Sequence, residues 1–384
     1  MTPPTLLPSQ RALFDIPGDV AYLNSAYMSP LPRAVLAQGE RGLRRKARPW
    51  ELAPIDFFTE SDAVRGLFAR LVNAAAADIA LVPSVSYAMA VAVNALPLAA
   101  GQRVLTLAEQ FPSNVYPWIE KCRDAGAVHV TVPRPGDDDW TAAVLACIDE
   151  RTAIVALPHC HWTDGGLLDL VVIRSACDRV GAALCIDATQ SLGVLPFDVT
   201  RIRPDFLAAS GYKWMLGPYS FGYLYVDKRW QSARPIENNW IARKDAEDFA
   251  GLVNYKSEFQ PGARRFDVGE RSNFALVPAA KAALELLLDW GTERIQATLK
   301  TRNDAIAERA RAELGLDSVP ARLRAGHYLG LRFHGGVPAD LPGKLAAANV
   351  FVSVRGKAMR VTPHVYNTDE DVERLFTVLK TTLG

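Results

Sequence analysis

Between residues 61 and 226 the chain repeats one pattern: a short apolar run, a polar break, then a longer stretch whose apolar positions fall three and four residues apart. The short runs predict strands at 103–107, 127–132, 152–157, 182–186, 205–209 and 221–226. Helical spacing occupies 117–125, 141–149 and 170–180, and Gly126 and Gly181 stand where a left-handed, helix-ending residue is expected. Strands and helices that alternate in this way predict an α/β fold with a mostly parallel sheet covered by helices on both faces.

Beyond Val226 the pattern changes. Residues 228–265 lack periodicity and hold Asn238, Asn239, Trp240 and several charges, which reads as a long irregular connection forming a wall or lid. Helical spacing returns at 276–290 and 293–314, followed by strands at 328–333 and 350–354 and a terminal helix at 369–383. A chain of 384 residues exceeds what one core usually organises. The division expected is a large α/β domain over 19–262 and a small α+β domain over 263–384, with segment 1–18 packing on the small domain.

The 43 basic and 42 acidic residues nearly cancel, which leaves no overall field for nucleic acid or an anionic membrane and points to small-molecule partners. The cluster Arg41, Arg44, Arg45, Lys46 and Arg48 lies on a predicted amphipathic helix and reads as a solvated or interface surface. The N-terminal MTPPTLLPSQ has neither a basic flank nor an apolar core, and no stretch is apolar for the length of a bilayer, so a cytoplasmic protein is expected. Cys122, Cys147, Cys160, Cys177 and Cys185 are odd in number and show no C-x-x-C spacing, against a disulfide framework or a zinc ribbon.

Asp187 and Lys213 fall at or beyond the C-terminal ends of two predicted buried strands, where open α/β sheets place ligands. A lysine amine there can form a Schiff base with an aldehyde cofactor, and an aspartate can keep a pyridine nitrogen protonated, which together are a protein's contribution to pyridoxal phosphate chemistry. A salt bridge at the sheet edge is the plainer alternative. Gln190, Ser210, Gly211 and Tyr212 surround the same point with hydrogen-bonding groups. The run 81–87 leads into an apolar helix, so backbone N–H groups at Val85 and Ser86 and the Ser86 hydroxyl meet at a helix N-terminus, an anion site unless Ser86 serves as a cap. The loop 109–118 offers Phe111 as a ring to stack on a heterocycle or to pack beneath the loop. His159, Cys160 and His161 suggest a metal, but neighbouring strand residues face opposite ways and no complete ligand set is evident, so no metal is expected.

D-A-T-Q at 187–190, S-G-Y-K-W at 210–214 and the following G-P resemble the class V aminotransferases, the cysteine desulfurase-like and kynureninase-like branch of fold-type I pyridoxal phosphate enzymes. The ending R-V-T-P-H-V-Y-N-T at 360–368 is similar to that family's R-x-S/T-x-x-x-Y-N-T. The resemblance implies the fold-type I architecture, with a seven-stranded-type, mostly parallel sheet in the large domain and a small C-terminal α+β domain. It implies Lys213 and Asp187 as catalytic residues and pyridoxal 5'-phosphate as cofactor, held by Val85, Ser86, Phe111, Trp162, Asp187, Gln190, Ser210, Tyr212 and Lys213. Trp162 stands where desulfurases carry an asparagine, which leaves Gln190 as the firmer contact to the ring hydroxyl. An amino-acid substrate would meet Asn24, Asn114, His161, Arg355 and Arg360, with Arg360 the first choice for the α-carboxylate because an arginine fork binds carboxylates in two places.

The resemblance also implies a homodimer whose sites are completed across the interface. Glu270 replaces the threonine that relatives lend to the neighbouring phosphate, so Arg271, Ser272 or Asn273 is expected there instead. No cysteine follows Cys185, which argues against a persulfide-forming desulfurase, a reaction that needs a thiolate. Transamination and β-elimination lead the reactions left open, ahead of epimerisation and kynureninase-like hydrolysis. A catalytically silent ligand sensor on the same fold is disfavoured by the retained Lys213, Asp187 and Arg360.

Overall fold

The computed structural model describes residues 4–383; residues 1–3 and 384, at the ends of the two expected terminal units, lie outside the described residues. Seven strands form one sheet in the order Ile79–Val82, Gly222–Val226, Phe206–Ser210, Ala183–Asp187, Thr152–Pro158, Arg103–Leu107, Val128–Val132. Gly222–Val226 runs antiparallel to both of its neighbours and the remaining pairs are parallel. The expected fold-type I α/β architecture is therefore present.

The three central strands are buried but for half-buried Ala153, which is why they read in the sequence as largely apolar runs. Successive residues serve opposite cores. Val155, Leu157, Leu184, Ile186 and Leu207 face one side, and Ile154, Ala156, Cys185, Phe206 and Ala208 the other. Helices Tyr116–Ala125 and Leu170–Val180 end at Gly126 and Gly181, both with left-handed backbone at φ 64° and 72°.

A second sheet orders Ser353–Arg355, Ala358–Val361 and Leu329–Arg332, all antiparallel. Its core holds Leu329, Leu331, Met359 and Val361 against Leu375, Phe376 and Leu379 of helix Asp369–Leu383. The strand expected at 350–354 is split at Val352. Val350–Phe351 pairs in parallel with Ala21–Tyr22, while Ser353–Arg355 turns back through Gly356 (φ 55°) to pair with Ala358–Val361. Helix Leu276–Trp290, just past the expected division at 262, buries Val277, Ala280, Leu284 and Leu287 in the same core as the large sheet. Gly42 lets this packing close, since a Cβ there would sit 1.7 Å from the Phe274 carbonyl oxygen. At the N-terminus, Leu7 donates its N–H to Thr298 Oγ1, and Arg11 pairs with Asp371 at 2.9 Å.

Ile79–Val82, missed in the sequence as a strand, lies at the sheet's edge directly before the turn expected to bind an anion. Its free side is covered by residues 267 and 268: Leu81 N–H donates to Asp267 Oδ1 at 2.8 Å, and Val268 N–H to the Leu81 carbonyl at 3.0 Å. Asp267 is fully buried and also receives two nitrogens of buried Arg65, with Arg271 Nε 3.0 Å from its Oδ2. Removing one charge from such a group leaves the others buried without compensation. Asp267→Asn is expected to lower unfolding free energy by roughly 3–5 kcal/mol, read as a lower urea midpoint in equilibrium denaturation. An unchanged midpoint would show that this cluster does not hold the edge strand.

Candidate active site

Parallel pairing aligns the C-terminal ends of the central strands, with Pro158 opposite Asp187 and Asp187 opposite Ala208. Asp187 Oδ1 accepts the Thr189 N–H at 3.0 Å, and Thr189 Oγ1 accepts the Ser210 N–H at 3.2 Å. This turn stitches the aspartate to the end of the next strand. Three residues beyond Ser210, Lys213 sits in a loop closed by Gly211 N–H to Phe221 O (2.8 Å), Gly217 N–H to Gly211 O (2.9 Å) and Leu216 N–H to Lys213 O (3.1 Å). From the far side, the Trp214 indole donates to Gln190 Oε1 at 2.8 Å and His364 Nε2 donates to the Trp214 carbonyl at 3.1 Å.

These elements enclose a cavity of about 230 Å³. Its wall includes Ser84, Val85 and Ser86 at one helix start, then Phe111, Cys160, Trp162, Asp187, Gln190, Ser210, Tyr212 and Lys213. Ser84 caps helix Val85–Ala95 through the Tyr87 N–H, so the serine cap is two residues earlier than Ser86. Among the described residues the Val85 and Ser86 N–H groups have no acceptor, and Ser86 Oγ donates to Ser113 Oγ at 2.9 Å. Lys213 is 6% exposed, yet among the described residues its Nζ has neither a hydrogen-bond partner nor a carboxylate within 4.0 Å. The plainer reading, an Asp187–Lys213 salt bridge, is not what forms. A buried amine without a partner, free N–H groups at a helix start, a carboxylate and an aromatic ring over the amine, with Phe111 5.3 Å from Nζ, fit pyridoxal phosphate.

Burial holds the free Lys213 amine down to about 8, against the pull of Asp187 upward and with the charges of Arg360 and Arg355 pushing the same way as burial. Burial raises the Asp187 carboxyl, opposed by its hydrogen bonds from Thr189 and by Lys213. Cys160 is pushed up by burial, Asp164 and Asp187, and Tyr212 is raised by burial to about 12. His159, behind the cavity and bonded to Ser191 Oγ at 3.1 Å, is lowered by burial to about 4.

The structure gathers Val85, Ser86, Phe111, Trp162, Asp187, Gln190, Ser210, Tyr212 and Lys213 around one cavity. Trp162 is a wall and no free donor, because its indole N–H is taken by the Glu109 carbonyl at 2.6 Å. Gln190 keeps one Nε2 hydrogen after donating to the Ala26 carbonyl. Asn114 does not line the cavity; fully buried, it accepts the Trp118 indole N–H at 2.9 Å. Nor does His161, which stacks on Trp140 and bonds Ala108 O; alternation along the chain turns Cys160 to the cavity in its place. Arg360 is buried beside the cavity, with Nε and Nη2 on Ser353 Oγ at 2.8 and 2.6 Å, and Asn24 Oδ1 accepts that same hydroxyl at 2.8 Å. Arg355 is half-buried over Trp162. Among the described residues none from 228–265 lines the cavity, and Trp240 packs instead with Phe57, Phe58 and Phe249. Thr189 escaped the sequence reading, although an Asp-x-Thr turn after a strand is its signal.

The aminotransferase class-V family model matches residues 21–375. The chain is 28% identical over 363 residues to the uncharacterized aminotransferase YcbU of Bacillus subtilis, covering 91% of this chain and 89% of that protein. It is 30% identical over 295 residues to a kynureninase of Deinococcus radiodurans, covering 74% and 69%. A solved C-DES mutant with glycine covalently linked to its PLP cofactor superimposes with a TM-score of 0.85 at 19% identity, over 97% of this chain and 99% of that one. The chain belongs to the aminotransferase class-V family and is a pyridoxal phosphate-dependent enzyme.

Proposed function

We propose that the enzyme is an aminotransferase acting on α-amino acids, with Lys213 as the single group that moves the Cα proton. What carries this reading is that, among the described residues, Lys213 is the one amine lining the cavity, and the side chain across from it is the non-titrating Phe111. Inversion at Cα by two bases needs a second acid across from Lys213, and the Phe111 ring that stands there carries no titrating hydrogen. Cys160 also donates its S–H to the Gln190 carbonyl at 3.2 Å, which supports the reading that no thiolate is present for desulfuration.

Pyridoxal phosphate, when bound, supplies an aldehyde that condenses with amines and a ring that withdraws electrons from Cα. In this reading the Val85 and Ser86 N–H groups and the hydroxyls of Ser86, Ser210 and Tyr212 bind phosphate. Asp187 would hold the pyridine nitrogen protonated, Gln190 has a spare hydrogen that would serve the ring hydroxyl, and Phe111 would stack on the ring. Arg360 binds the α-carboxylate, and Lys213 takes a proton from Cα and gives one back. The site is completed in a homodimer, supported by the exposed Tyr27 and Tyr219 and by Tyr219 lying on the cavity wall.

Holoenzyme mixed with an amino acid and no keto acid is expected to release one equivalent of keto acid per site, with the cofactor band bleached until a keto acid is added. Continued product release with the band restored would make the enzyme a lyase, hydrolase or epimerase. A second outcome concerns Lys213 alone. Apoenzyme is expected to take up pyridoxal, which lacks the phosphate charge, at a rate that rises with pH through a midpoint near about 8, because the protonated amine cannot add to an aldehyde. Asp187→Asn removes the charge that raises this amine, so the midpoint moves down. A midpoint near that of ordinary lysine, or one unmoved by Asp187→Asn, contradicts the reading.

A further inference from the structure

Ser353 pairs with Arg360 across the hairpin, and Arg355 follows Ser353 by two residues, so Ser353, Arg355 and Arg360 share one face of it. That face meets Trp162: the Arg355 and Arg360 guanidinium carbons lie 5.6 and 5.8 Å from its ring centroid. Among the described residues neither arginine has a carboxylate within 4.0 Å. Their neighbours do. Arg134 pairs with Glu109 and Asp164 at 2.9 and 2.7 Å, Arg332 with Asp138 and Asp164 at 2.7 and 2.9 Å, and Arg324 with Asp304 at 2.7 Å.

The two unpaired guanidiniums also differ in what they have to offer. Arg360 places Nε and Nη2 on Ser353 Oγ and Nη1 on the Trp162 carbonyl and the Tyr328 hydroxyl, which leaves one Nη2 hydrogen for an α-carboxylate. Arg355 makes one hydrogen bond, from Nη1 to the carbonyl of adjacent Val354 at 2.7 Å, and keeps the rest of its fork free. Burial first, and then the Arg360 charge, holds Arg355 below its ordinary range. Both charges are felt at the Lys213 amine. An α-carboxylate occupies one of them and leaves the other.

Resting on the reading of Arg360 as the α-carboxylate anchor, we propose that the enzyme's substrate is a dicarboxylic amino acid or its keto acid, with Arg355 receiving the side-chain carboxylate against the Trp162 wall. The paired positive charges draw such dianions toward Trp162 on the cavity wall. A free arginine fork then gives the second carboxylate a two-point contact that a neutral side chain does not satisfy.

The test is binding of unreactive acids to the holoenzyme by titration calorimetry: succinate against butyrate, and glutarate against pentanoate. Each dicarboxylate is expected to bind roughly 10- to 100-fold tighter than its monocarboxylate partner, the range for a charged hydrogen-bonded contact. In Arg355→Gln that ratio is expected to collapse toward one, and Arg355→Lys restores part of it. Equal affinities in the wild type, or a ratio that survives Arg355→Gln, overturns the proposal. Because these acids carry no amino group, the outcome is independent of the reaction. A dicarboxylate advantage alongside continuous product release would sink only the aminotransferase reading, and equal affinities alongside single-equivalent release would sink only the dicarboxylate.

Discussion

A buried lysine and a buried aspartate that do not neutralise each other are the constraint on which this molecule turns. Each would be expensive to hold in a protein interior if ionised. Asp187 and Lys213 are 8% and 6% exposed, and no salt bridge joins them. The scaffold keeps them apart by fixing each to a different strand end, Asp187 by the Thr189 turn and Lys213 by the Gly211–Gly217 closure, with Trp214 and His364 bracing the loop from behind. The cost of that separation falls on the acid–base properties of the pair, with the carboxyl raised and the amine lowered toward neutrality. A cofactor with a basic ring nitrogen and an aldehyde answers both groups at once.

The same logic extends outward in layers. The Asp267 cluster fixes the edge strand Ile79–Val82 and so the helix start that follows it, where unpaired N–H groups await an anion. On the other side, the three-stranded sheet brings Arg360 under Trp162, with Asn24 reaching it through Ser353. Polar groups left unsatisfied within the fold thus mark the cofactor's two ends and the substrate's carboxylate, while most other buried charges are paired locally, as Arg174 is with Asp205 at 3.0 Å.

Much of this was legible because it is local. Interior parallel strands must be apolar on both faces, so 103–107, 152–157 and 205–209 announced themselves within a residue or so, and Gly126 and Gly181 marked helix ends by their backbone freedom. Asp187 and Lys213 followed from their place after such strands. What escaped the sequence depended on partners far along the chain. Ile79–Val82 is a strand by virtue of its pairing with Gly222–Val226, and the break at Val352 exists because its two sides join different sheets. Asn114 and His161 carried suitable chemistry, but their side chains point into the protein, toward Trp118 and Trp140. Whether an arginine is paired is likewise invisible in a sequence with 43 basic and 42 acidic residues, which is why Arg355 read there only as an understudy to Arg360.

The central claim is that Lys213, alone among the lysines, is the amine that meets the cofactor. Borohydride reduction of the holoenzyme, followed by mass mapping of its peptides, tests this most directly, since reduction fixes the cofactor to whichever amine holds it. The account predicts the added mass on the peptide containing Lys213 and on no other. The same mass on a different lysine, or on none, would contradict it.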